Sequence, residues 1–472
     1  MNSRMLALAI IPAAIGCSTP DNCPLCGTTQ SGAYTAIAAM QVPQASPFGK
    51  PFAVWDIVVH DPVQRRLYVT DRSHAAIAVY DTKTDTPIGQ VKGGFVGSVC
   101  CEPDRASNYN ELSGPNATIV TPSTTGGKLG NLWVSDGDST VKVFDLDKDT
   151  LPVDHNDGTA SQTFATIPMG LPAFSIDDCG RGSTPVNGAN ACGDFRADEM
   201  AYDPEHQIVL VSNGDPGPPF VTLLNAKNPV CLNNSCVLGQ IFFDGLTGPC
   251  TNRPAGYAAP PTNTPLFAGT PAAPLPGICA HGPNAQNGIG GSIYNLATHR
   301  FLVSTSQVGP DPKNGEVTEI NPLTVSVTGN FPLTGLGCQP AALAIGPKNN
   351  LLVGCANREG EAFYPSTFIM DVSTQGKGPI IKSIFDVGRV DEVWYNDGDK
   401  RFYLAARDMP NGSVLGVIDA ITNLWLQNVP TGGNAHGLAV DPINNHIYIP
   451  IGANARCGRY SAEGCITIYA QQ

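Results

Sequence analysis

An all-β fold built from repeated four-stranded units is predicted by three observations on the 472-residue sequence. Charged residues make up only 14 %, too few for long amphipathic helices, while 51 glycines and 41 prolines punctuate the chain with turns. Short apolar runs rich in β-branched and aromatic residues stand between those turns. One strand–turn–strand pattern then recurs seven times along the chain, often around an Asp-Pro turn.

The N-terminal stretch reads as a leader. Arg4 supplies a short positive region, and Met5 to Ile15 is apolar but too short to span a bilayer. The run ends in Ala14-Ile15-Gly16-Cys17, which resembles a bacterial lipoprotein signal with Cys17 as the lipidated residue. The small residues at 14 and 16 also suit ordinary signal-peptidase cleavage. Residues 1–17 are thus read as leader, 18–31 as a Cys-containing linker and 32–472 as the folded domain. An extracytoplasmic protein is expected, either a periplasmic or cell-surface lipoprotein or a secreted one.

Cysteine usage fits that compartment. The count of 15 is odd, and setting Cys17 aside leaves an even set for disulfides. Close neighbours suggest the pairs Cys179 with Cys192, Cys231 with Cys236, Cys250 with Cys279, Cys338 with Cys355, and Cys457 with Cys465. The pairing of Cys23, Cys26, Cys100 and Cys101 is open. Cys23-Pro-Leu-Cys26 lacks the βαβ context of a redox motif, and Gly27 stands where c-type haem attachment needs His.

The repeats justify the fold in order. The first reads Trp55-Asp56-Ile57-Val58-Val59-His60-Asp61-Pro62, then Leu67-Tyr68-Val69-Thr70-Asp71, then Ala76-Ile77-Ala78-Val79-Tyr80-Asp81. Later copies carry Leu132-Trp133-Val134-Ser135-Asp136, Val209-Leu210-Val211-Ser212-Asn213, Phe301-Leu302-Val303-Ser304, Leu351-Leu352-Val353-Gly354, Phe402-Tyr403-Leu404 and Ile447-Tyr448-Ile449-Pro450. First-turn anchors fall at Asp61, Thr121, Asp203, Asn295, Gly346, Asn396 and Asp441. From Asn295 onward they stand roughly 50 residues apart, close to one blade of ~40–50 residues. The earlier, wider spacings are one blade plus an insertion.

Tyr68-Val69-Thr70-Asp71 resembles the signature of the YVTN-repeat (YncE-like) family, with Asp as its fourth residue. The resemblance implies a seven-bladed β-propeller. Blades are expected near 53–93, 116–168, 197–244, 287–332, 338–387, 389–430 and 433–470. The last blade runs out of chain after its third strand, so the lone strand at 32–42 is expected to join it and close the ring, which limits exposed strand edges.

The net charge of −13 argues against nucleic acid and anionic membrane surfaces, which need clustered Lys and Arg. Membrane contact is expected only through a lipid anchor, and a monomer is expected. The insertions at 94–115, 169–197 and 245–288 and the Cys457/Cys465 loop should share one face and wall the channel mouth, whereas the Cys231/Cys236 hairpin belongs to the other.

Five residues before each anchor, the channel-lining strands carry Asp56, Asn116, Asp198, Gly290, Ala341, Asp391 and His436. An acidic belt with one His invites Ca²⁺ or another divalent cation. Asp56, Asp198, Asp391 and His436 are the candidate metal ligands, and His436, Glu199 and Glu392 the candidate catalytic groups. Asn116, Arg72, His74, Arg407 and Arg456 are candidate ligand-binding residues, and Arg358 lies on a loop of the same face. Asp145, Asp147 and Asp149 have calcium-loop spacing, but Thr150 replaces the required Gly and Asn156 the bidentate Glu, so an ordinary turn is expected. No nucleophile elbow, His-Glu-x-x-His, phosphate loop or dinucleotide fingerprint occurs. Two classes of function remain: a module presenting its loop face to a small molecule, glycan or protein, and a metal-assisted hydrolase, lactonase or lyase at the channel mouth.

Overall fold

The computed structural model describes residues 32–43, 51–98, 112–124, 126–147, 165–169, 196–214, 219–232, 235–248, 250, 279–356 and 365–472. Cys17, Cys23, Cys26, Cys100, Cys101, Asp149, Cys179, Cys192 and Arg358 lie outside them. The described strands form seven small sheets arranged as a seven-bladed β-propeller, antiparallel except for one added edge strand. Among the described residues no helix is long and apolar enough to cross a membrane.

The inner strands are Trp55–Asp61, Thr118–Thr121, Ala197–Asp203, Ile289–Asn295, Pro340–Ile345, Val390–Asn396 and Ala439–Asp441, one for each of blades 1 to 7. Second strands such as Asn131–Asp136, Ile208–Asn213 and Asn350–Cys355 are buried at every position. Each blade is covered on both faces by its neighbours, so these strands carry near-continuous apolar runs. Outer strands such as Leu424–Pro430 are largely open to solvent.

The first-turn anchors are a device of the turn itself. The side chains of Asp61, Asp203, Asn295, Asn396 and Asp441 each accept the backbone N–H two residues on, at 2.8–3.0 Å. Four residues past each anchor the chain turns left-handed, at Arg65, Gln207, His299, Lys400 and Asn445. The Asp145 turn works the same way, its carboxylate accepting Asp147 N–H at 3.1 Å. Asp147 accepts Lys128, Leu129 and Gly130 N–H groups, as an ordinary strand-to-strand turn requires.

Apolar side chains collect between blades rather than at one centre. One cluster joins Tyr68, Val79 and Phe95 of blade 1 to Leu132 and Phe144 of blade 2. Others join blades 2 and 3, 3 and 4, 4 and 5, 5 and 6, and 6 and 7. The seventh closes the ring, with Met40, Tyr448, Ile466 and Ile468 against Trp55, Leu67, Val69 and Tyr80. Closure follows the expected route. Tyr34–Gln41 pairs antiparallel with Cys465–Gln471 and becomes the outer strand of blade 7. The Tyr34 hydroxyl is 2.8 Å from that of Tyr403 and also meets Asp399 and Arg401 of blade 6.

Four disulfides are present among the described cysteines: Cys231–Cys236, Cys250–Cys279, Cys338–Cys355 and Cys457–Cys465. The second differs from expectation in its place. Cys279–His281 runs parallel to Val237–Phe242 as a fifth, outermost strand of blade 3, so this bridge sits on the outer edge rather than on the mouth rim.

Candidate functional site

Five inner strands and the segment just before Ala439–Asp441 bring Asp56, Asp198, Gly290, Ala341, Asp391 and His436 around one cavity of about 420 Å³ at the channel mouth. The alignment by turn anchors thus places six of its seven residues together. Asn116 is the exception. It is fully buried, its Oδ1 accepting from Arg72 Nε at 3.1 Å and Nη2 at 2.6 Å, its Nδ2 donating to Ala197 O at 2.7 Å. It ties blades 1, 2 and 3 together behind the wall.

Counter-charges for the acids come from the protein itself. Arg72 pairs with Asp56, Arg196 Nη2 lies 2.9 Å from Asp198, and Arg407 Nη1 lies 2.8 Å from Asp391. The ladder explains two of these pairs. Trp55 faces Asp71 and Val390 faces Ala406, so Arg72 and Arg407 each sit one residue past the partner, diagonal to the acid that follows on the inner strand. Arg196 stands two residues before Asp198, on the same side of an extended segment. The sequence reading missed Arg196, although that i, i+2 spacing was available.

Environment separates the carboxyls. Burial pushes Asp56 up to about 7, and the neighbouring Asp198 adds to this, against the pull of Arg72. Burial also acts on Asp391, but Arg407, then His436 and the other arginines, outweigh it and hold this acid below its usual range. Glu199, which lines the cavity beneath, is pushed well up by burial and by Asp198, Asp56 and Asp391. Taken neutral, Glu199 leaves three aspartates facing three arginines at the mouth.

His436 is held more tightly than a free ligand. Its ring stacks on Trp55 with centroids 5.0 Å apart, and Trp55 stacks on Phe52 at the same separation. Nδ1 is 2.7 Å from Asn434 O and Nε2 is 3.1 Å from Trp55 O. Burial lowers its pKa, with Asp391 opposing. Both ring nitrogens face carbonyl oxygens, so cation binding requires the imidazole to turn.

Glu392 has a structural task. It is buried, and its Oε2 accepts from Leu438 N at 2.8 Å and Val58 N at 3.4 Å. The inner strand of blade 7 begins only at Ala439, and this carboxyl satisfies backbone donors there and on blade 1. Burial pushes it well up. It and Glu199 also border a second cavity of about 310 Å³ lower in the channel, lined mainly by apolar groups such as Ile57, Met200, Leu343, Val393 and Trp394.

His74 does not reach the mouth cavity. It is buried, with Nδ1 2.5 Å from Asp71 Oδ2, and belongs to the scaffold. Arg456 is exposed in the 3-10 segment Ala455–Tyr460, donates to Thr431 O at 3.1 Å, and does not line the cavity either. The opposite wall is small and neutral: Gly288, Gly290, Ala341 and Ala356. Cys338–Cys355 braces it, joining the residues next to the cavity-lining Gln339 and Ala356.

No family model matches the chain, and no curated protein is similar to it. Many solved structures share its fold. One is a chain in the crystal structure of a mitotic checkpoint complex, with a TM-score of 0.51 and 10 % identity over 100 % of both chains. At that identity the likeness concerns the fold alone.

Proposed function

We propose that the protein is an extracytoplasmic binding module that takes a small molecule at the channel mouth. The carrying observation is the change of character along the channel, from a mouth cavity of about 420 Å³ ringed by Asp–Arg pairs to a lower cavity of about 310 Å³ with apolar walls. Together they match the size range of small-molecule sites, ~300–1,000 Å³. The paired charges offer donors and acceptors to a polar head such as a sugar or carboxylate, and the lower cavity suits an apolar tail. The disulfides support an oxidising compartment, and the lipoprotein-like leader and the YVTN-like first blade fit the same picture.

Thermal unfolding against a panel of acyl glycosides and acylated amino acids tests this. A ligand at ~100-fold its Kd adds about 2.7 kcal/mol of stability. The shift should vanish in Ala341→Trp, which fills the mouth, and in Met200→Trp, which fills the lower cavity. Shifts that survive both plugs sink the proposal.

A second reading, a hydrolase, lactonase or lyase, draws on Asp56 at about 7 beside Glu199 in one cavity, a pairing suited to proton transfer. Its metal-assisted form has to release the aspartates from their arginines. Stoichiometric metal lost in the His436→Ala, Asp391→Ala double variant supports that form.

A further inference from the structure

We propose a transition-metal site on the opposite face, built from Asp203, Glu205 and His206 of blade 3 with His299 of blade 4, and taking a borderline divalent ion of which Zn²⁺ is the best match. One donor atom from each of the first three residues lies within 4.8 Å of the other two. A zinc ion holds its N and O ligands at ~2.0–2.2 Å, which sets neighbouring donors roughly 3.3 Å apart, so small rotamer adjustments close the set.

The backbone prepares it. Asp203 Oδ1 accepts the N–H groups of Glu205 and His206 at 2.8 and 3.1 Å, which fixes the turn and leaves Oδ2 beside His206 Nδ1 at 2.7 Å. His299 sits at the left-handed position of the corresponding turn in the next blade, with Nδ1 2.6 Å from Glu205 Oε2. Tyr294 donates to the same oxygen at 2.8 Å, an outer contact of the kind that orients a ligating carboxylate. Two imidazoles and two carboxylates are a donor set for Zn²⁺ and its neighbours rather than for Ca²⁺ or Mg²⁺. The side chains of His206 and His299 are 37 % and 55 % exposed, so an ion can enter from solvent. The buried Asp71–His74 pair repeats the Asp-x-x-His spacing without the Glu. A bound ion here joins blades 3 and 4.

Calorimetric titration of the chelator-treated full chain with Zn²⁺ alone tests the site. One saturable ion per chain is expected. The double variant His206→Ala, His299→Ala should bind at least about tenfold more weakly, and Glu205→Gln should show the same loss. Absence of saturable binding overturns the proposal, and so does binding that both the double variant and Glu205→Gln retain. Glu205 is exposed and its Gln replacement keeps shape, so that variant stays informative if the double variant does not fold.

Discussion

Replacing Arg72 with Met probes the mouth directly, because this residue is only 3 % exposed and holds blades 1 and 2 together. Its guanidinium meets Asp56, Asn116 Oδ1 and, at 3.4 Å, Pro115 O. Met keeps most of the aliphatic volume and removes the charge. Taking one partner from a buried ion pair costs about 3–5 kcal/mol when the other stays charged. Asp56 need not stay charged. With its carboxyl raised to about 7, it carries its proton at pH 5 and has largely lost it at pH 8. For a carboxyl raised in the fold, the stabilising contribution is complete below the ordinary 3.8 and is lost as pH rises through about 7. Arg72→Met should therefore cost ~1–2 kcal/mol at pH 5, where hydrogen bonds alone are lost, and up to about 1.4 kcal/mol more at pH 8, one unit above the Asp56 value of about 7. Urea unfolding of both proteins at both pH values measures this. Adding Asp56→Asn should recover part of the loss at pH 8. Equal costs at the two pH values, with the two substitutions additive within about 0.5 kcal/mol, would refute the reasoning.

Two further outcomes follow from the same geometry. Glu392→Gln keeps an oxygen for the Leu438 and Val58 N–H groups without a charge, and should change stability by less than ~1 kcal/mol, whereas Glu392→Ala strands both donors at ~1–3 kcal/mol each; thermal unfolding of the pair checks this. Removing residues 32–42 exposes the edge of Cys465–Gln471, and size-exclusion chromatography should show association through that edge that the full chain lacks.

The fold was legible because its devices are local and repeated. Asp61, Asp203 and Asp441 recur since each closes the same turn with its own side chain, and the missing fourth strand of blade 7 pointed to Tyr34–Gln41. The mouth was legible only on one side of its charge balance. Counting back from the anchors found Asp56, Asp198 and Asp391, but the arginines were not treated as a second aligned set. Arg72 and Arg407 end equivalent strands, so the same counting applied to second strands pairs them with Asp56 and Asp391. The burial of His74 and Asn116 was not legible, because it depends on how the chain packs around them. The strand Cys279–His281 had no signal, being three residues long and held by edge pairing and one disulfide.

The joining of Tyr34–Gln41 to Cys465–Gln471 also sets the order in which the molecule can be made. The first strand has no partner until Cys465–Gln471 has been synthesised, so blade 7 and its contact with blade 1 cannot be completed before then. Early blades can pair within themselves, but the ring closes in a single late event across the greatest sequence separation, the kind of contact that slows folding most. A chain built this way stays open along one radius until Cys465–Gln471 has been made. Until then the chain can still be drawn out as a thread; afterwards its first and last described strands are held side by side.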